Sequence, residues 1–149
     1  MPCGIHWFDR DRFYDTAKRV LRPKGVLAVW TYKWPWSGSK QVDQVLAYLK
    51  DELLKDYWPI ESQLYLSGYS DMEFPFEAIS PPPFSLECHW KADAMMGFLS
   101  TWSAVQRYTR KQGASPIEAI ESDLRTAWNS EPPQSPIQLP LYFRVGRLS

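Results

Sequence analysis

The run Val26-Leu27-Ala28-Val29-Trp30-Thr31-Tyr32 constrains this chain more than any other feature. It is apolar for most of its length and shows no alternation. Such a run predicts a strand buried on both faces, as in a parallel sheet under helices. Residues 9–21 read as an amphipathic helix before it. Asp9 is placed as N-cap, and Phe13, Ala17, Val20 and Leu21 recur at helical spacing. Arg22-Pro23-Lys24-Gly25 supplies the turn between helix and strand. Helix, turn and doubly buried strand make half of a βαβ unit. A right-handed crossover needs a strand to cross from. Only Met-Pro-Cys-Gly-Ile opens the chain, so the earlier, N-terminal strands of the sheet are expected to be missing.

The rest of the chain reads as three further helices and two further strands. Residues 41–57 carry Val42, Val45, Leu46, Leu49 and Leu53 on one stripe, and Trp58-Pro59 stops that helix. Residues 60–83 read as irregular, and Tyr69, Asp71 and Glu73 within them as a solvated loop. Phe84, Leu86, Cys88 and Trp90 alternate with polar residues, which predicts a half-buried strand over 84–90. A helix follows over 92–110. Ser115-Pro116-Ile117-Glu118 is a capping box with proline at the first helical position, and it opens a helix whose stripe is Ile117, Ile120, Leu124 and Trp128. Pro132, Pro133 and Pro136 separate that helix from a last strand over 137–147. Pro140 cannot donate to a ladder, so one hydrogen bond should be free there. The expected class is α/β, a single incomplete domain over 1–149. It has about three strands, one parallel-type and two antiparallel, and about four helices. Its parts are helix plus buried strand over 9–32, strand and helices over 84–129, and the terminal strand.

Charge narrows the partners. Lys plus Arg equals Asp plus Glu at 17 each, so the chain lacks the basic excess that general nucleic-acid or membrane-surface binding needs. The two cysteines, Cys3 and Cys88, form no CxxC or Cys/His cluster, so no metal site is expected. Two thiols in a chain without a signal peptide suit a reducing, cytoplasmic setting.

Three segments resemble one family. His6-Trp7-Phe8-Asp9 comes first, followed by Arg12-Phe13-Tyr14 and by Lys18-Arg19-Val20-Leu21-Arg22-Pro23-Lys24-Gly25-Val26-Leu27-Ala28-Val29-Trp30. Phe98-Leu99-Ser100-Thr101-Trp102-Ser103-Ala104-Val105-Gln106-Arg107-Tyr108 is second, and Leu139-Pro140-Leu141-Tyr142-Phe143-Arg144-Val145-Gly146 is third. In this order they resemble the C-terminal half of class I S-adenosylmethionine-dependent methyltransferases. The nearest group is the small-molecule methyltransferases related to trans-aconitate methyltransferase, of the methyltransferase type 11 kind. The resemblance implies a Rossmann-like sheet, S-adenosylmethionine as donor and a small-molecule acceptor. It also shows a departure. The family's glycine-rich turn has no counterpart among the 7 glycines here, and Lys24 stands where the family's Pro-Gly-Gly turn has its first glycine.

Candidate roles follow from the resemblance. His6 would orient an acceptor oxygen or act as a base, and a purely structural histidine is the other reading. Trp7 and Phe8 would lie against the cofactor, Trp7 covering the adenine or the sulfonium. Trp30 and Tyr32 end the buried strand, where open α/β sheets place ligands. Trp102, Ser103, Arg107 and Tyr108 would form the substrate side, with Arg107 gripping a carboxylate. Solvated or core positions are the alternatives for each. Two functional readings remain open. One is a methyltransferase of the family, inactive as this truncated chain. The other is a non-catalytic, degenerate paralogue or partner-binding fragment, pairing with a second copy or a full-length relative through its exposed sheet edge.

Overall fold

The computed structural model describes residues 4–129 and 135–149. Cys3, Pro132 and Pro133 lie outside the described residues. The element order is a 3-10 turn Ile5–Trp7, α1 Arg10–Val20, β1 Val26–Tyr32, α2 Lys40–Tyr48, α3 Ser62–Leu66, β2 Glu77–Ile79, β3 Ser85–Trp90, α4 Ala92–Ser100, α5 Ser103–Gln112, α6 Pro116–Asn129 and β4 Ser135–Arg147. The described residues fall into two compact units.

The first unit holds the described residues up to Trp34, Ile60–Leu86 and Leu139–Ser149. Its α1 begins as the sequence predicts, because the Asp9 carboxylate accepts from the Arg12 amide at 3.2 Å and satisfies one orphan N–H. The α/β class stands, but the strand inventory differs. Four strands form one sheet in the order β1-β4-β2, with β3 also pairing β4. The expected parallel-type strand β1 pairs antiparallel with β4, from Val26 opposite Arg147 to Tyr32 opposite Leu141. Only Val29 and Thr31 in β1 are fully buried. They share one face with Leu27, and that face packs on a core of Ile5, Tyr14, Tyr69 and Met72. Trp30 points to the opposite face, and Ala28, Trp30 and Tyr32 all stay partly exposed, so burial here is one-sided. An unbroken apolar run therefore did not mean two covered faces. Trp30 instead pairs across the sheet with Phe143, ring centroids 6.2 Å apart.

Residues 60–83 are not irregular throughout, since they contain α3 and β2. Strand β2 pairs β4 over Glu77–Ile79. Gly146 is required there, because a Cβ on it would lie 2.6 Å from the Phe76 Cβ and 2.8 Å from the Phe74 ring. Pro140 gives up a donor but keeps its carbonyl bonded to the Lys33 amide at 2.7 Å. Strand β3 forms where predicted, yet Phe84 and Leu86 are about half exposed rather than core residues.

The second unit holds Pro35–Pro59 and the described residues of Glu87–Gln138. It is helical, and α6 is its centre. Ile117, Ile120, Leu124 and Trp128 are buried as their spacing predicts, and α6 packs on α2, α4 and α5. Ser115 caps this helix, its hydroxyl accepting from the Ile117 amide at 3.2 Å. The helix predicted over 41–57 is α-helical only to Tyr48 and then opens into a π-turn over Leu49–Leu53. The cause is packing: Leu49 and Leu54 are both fully buried, and the Leu54 amide reaches back to the Leu49 carbonyl at 3.0 Å. The helix predicted over 92–110 is two helices. Trp102 sits between them with extended backbone at ψ 136° and its ring buried. Extended backbone at that position ends the ladder of α4.

Candidate active site

The expected site residues do not all belong to one unit. His6, Trp7, Phe8, Trp30 and Tyr32 lie in the first, and Trp102, Ser103, Arg107 and Tyr108 in the second. In the second unit Trp102 is buried, its ring 5.8 Å from Trp58 and 5.9 Å from Phe98. Ser103 opens α5. Arg107 is exposed on the same helix. Tyr108 stacks at 4.8 Å on Tyr57, whose hydroxyl accepts from the Gln112 amide at 2.6 Å.

The first unit brings a set together around His6. Ile5 is buried and pins the 3-10 turn, which leaves the next residue, His6, half-buried. The imidazole Nδ1 lies 3.3 Å from the Tyr69 hydroxyl. Around the ring stand Trp7 at 5.1 Å, Tyr65 at 6.0 Å and Tyr69 at 6.3 Å. Tyr65 also takes the edges of Tyr32 at 6.0 Å and Trp34 at 6.4 Å. The end of β1 and its following residues thus meet the N-terminal turn through one tyrosine. Trp7 and Phe8 keep about half of their surface exposed, and the Phe8 ring lies 5.8 Å from that of Phe13. Trp30 stands apart, on the Phe143 side of the sheet.

The sequence predicts Tyr69 to be a solvated loop residue, and the structure corrects this. It is fully buried, while Asp71 and Glu73 are exposed. Its backbone is left-handed at φ +64°, next to Gly68 at φ +65°. Two left-handed residues at the end of α3 satisfy its last carbonyls, with the Gly68 amide on Tyr65 and the Tyr69 amide on Leu64. A non-glycine residue in that region costs energy and tends to persist at functional positions. Glu61 was also missed. It precedes α3 without capping it, and its Oε2 is buried with no hydrogen-bond partner. Glu61 and Tyr65 stand four apart, one helical turn, but no spacing marks Tyr69, which lies beyond the helix in left-handed backbone.

Burial holds the His6 imidazole below its ordinary pKa, and the Glu61 charge partly opposes this. The unfolded chain binds that proton near 6.5, and the folded chain only at lower pH. Between the two values the unfolded state holds more protons, so stability falls as pH drops through this window and levels off beneath it. Melting temperatures at pH 7.5 and pH 5 should therefore differ less in His6→Gln than in the wild type. An equal difference would show that His6 does not carry the effect.

No family model matches the chain. A Dictyostelium discoideum protein described as "Putative methyltransferase" is 25% identical over 149 residues, covering 97% of this chain and 57% of that protein. A solved structure, of "a Putative Type II Methyltransferase" from Anaeromyxobacter dehalogenans, superposes with a TM-score of 0.87 at 38% identity. That match covers 98% of this chain and 62% of the other. The chain is similar over nearly its whole length to both proteins, each described as a putative methyltransferase. It spans about three-fifths of the length of the proteins it matches. Among the described residues no group of three metal-ligating side chains occurs, and no helix is long and apolar enough to cross a membrane.

Proposed function

We propose that this chain forms the acceptor side of an enzyme that moves a methyl group from S-adenosylmethionine to a small molecule. The convergence of His6, Tyr65, Tyr69, Tyr32 and Trp34 at the end of β1 carries this reading. Methyl transfer needs proximity and alignment first, and a base only when the nucleophile bears a proton. A half-buried imidazole that stays neutral near pH 7 supplies such a base. The residues fit one side of the donor. The exposed rings of Trp7 and Phe8 offer faces to a sulfonium or an adenine, but no glycine-rich strand-turn-helix sequence is present to cradle the rest. S-adenosylmethionine would supply the activated methyl, and these residues would hold the acceptor and take its proton. The 149 residues alone are then expected to be inactive.

Calorimetry with S-adenosylmethionine tests this reading. The 149-residue chain alone should show no saturable uptake at micromolar concentration. A chimera in which it replaces the matching 62% of the Anaeromyxobacter protein should bind the donor and methylate at least one member of a panel of phenols, carboxylic acids and amines. A chimera that folds, alongside an active parent, yet neither binds nor transfers would refute the proposal.

A further inference from the structure

The buried Tyr69, against His6, and Glu61, at the start of the helix that packs on the His6 turn, have no direct role in the chemistry described so far. Each is an expensive arrangement. Tyr69 is held fully buried in a left-handed backbone conformation. Glu61 keeps a buried carboxylate oxygen without a donor, although buried polar atoms are nearly always bonded. Tyr69 follows α3 with its hydroxyl on His6, and Glu61 precedes that helix, which packs on the turn holding His6. The two ring nitrogens of a histidine are not equivalent, and the bond made by one decides the state of the other. From the placement of these side chains we infer that Tyr69 and Glu61 are positioning residues: the Tyr69 hydroxyl accepts from His6 Nδ1–H, which leaves the Nε2 lone pair to receive the acceptor's proton, and Glu61 stabilises the imidazolium that results.

This rests on the methyl-transfer reading, and the proton balance is complete within it. The bond from methyl carbon to sulfonium sulfur breaks, and its electron pair stays on sulfur. A bond from the acceptor atom to that carbon forms, and the acceptor's proton passes to Nε2. Only then does His6 become positive, and the Glu61 carboxylate lies in range to oppose that charge. The side chains turned toward the imidazole are Trp7, Tyr65 and Tyr69, with Glu61 the charge acting on it. Desolvation weakens His6 as a base. Glu61 restores part of that strength, and Tyr69 sets which nitrogen exerts it.

The test needs no cofactor. The chain has two histidines, His6 and His89, so both resolve in a long-range 1H–15N spectrum of the 149-residue protein. His89 is exposed on β3 and serves as the internal reference. In the wild type, His6 should show Nδ1 protonated and Nε2 unprotonated. In Tyr69→Phe, which keeps the buried ring, the tautomer ratio should shift roughly fivefold toward Nε2–H, the equivalent of one net hydrogen bond. In Glu61→Gln the His6 titration should move to lower pH with its tautomer kept. His89 should not change in either variant. A wild-type His6 with Nε2 protonated, or a Tyr69→Phe protein whose His6 tautomer is unchanged, would overturn the assignment of Tyr69. An unmoved titration in Glu61→Gln would overturn that of Glu61. If these signatures appear while the chimera transfers no methyl group, the positioning holds and only the methyl-transfer reading fails.

Discussion

Gly68→Ala is expected to destabilise the protein by about 2–4 kcal/mol, from a left-handed backbone that disfavours any Cβ and from overpacking of a filled site. The backbone at Gly68 has φ +65°, and an added Cβ would lie 2.6 Å from the ring of Tyr142. That ring has little room to retreat. It belongs to β4, is paired opposite Thr31, and carries the Lys33 ammonium 4.4 Å above its face. The strain acts on the site as well. Gly68 and Tyr69 form the left-handed pair that ends α3, so shifting one shifts the other's hydroxyl away from His6. Urea denaturation would measure the first effect, and the His6 tautomer the second. A loss under about 0.5 kcal/mol, the range of neutral surface changes, would show that the turn is looser than its geometry.

The second large effect is expected in the helical unit. Leu124→Ala removes a fully buried side chain from α6, the helix on which α2, α4 and α5 converge. The cost is about 2–5 kcal/mol, the lost transfer energy plus a cavity that helices on three sides cannot close. Calorimetric unfolding would read it as a drop in melting temperature. A neighbouring surface change, Asp123→Ala, supplies the control, because Asp123 lies next to Leu124 but is exposed. Equal losses for the two would mean that α6 is not the centre of this core.

Periodicity was legible where one element packs by its own stripe. Helix α1 with its Asp9 cap, helix α6 with its Ser115 cap and the long final strand all appear close to their expected bounds. These depend on contacts within a turn or along a strand, and such contacts are written locally. Errors arose where burial from elsewhere set the outcome. Leu49 and Leu54 both enter the core, and only a π-turn brings residues five apart to one side. Trp102 turns inward and divides one predicted helix into two.

The site divides the same way. Residue types in 149 positions determined an α/β chain, the family it resembles, and a histidine, His6, just ahead of α1. They also determined that no glycine-rich cradle is written there. Tertiary structure alone decided that β1 pairs antiparallel with β4 and that burial is one-sided. It alone placed Tyr69, 63 positions downstream, beside the imidazole. Helical and capping preferences are short-range and survive in the order of residues. A hydrogen bond between distant side chains depends on how the elements between them pack, and no single stretch of sequence records that.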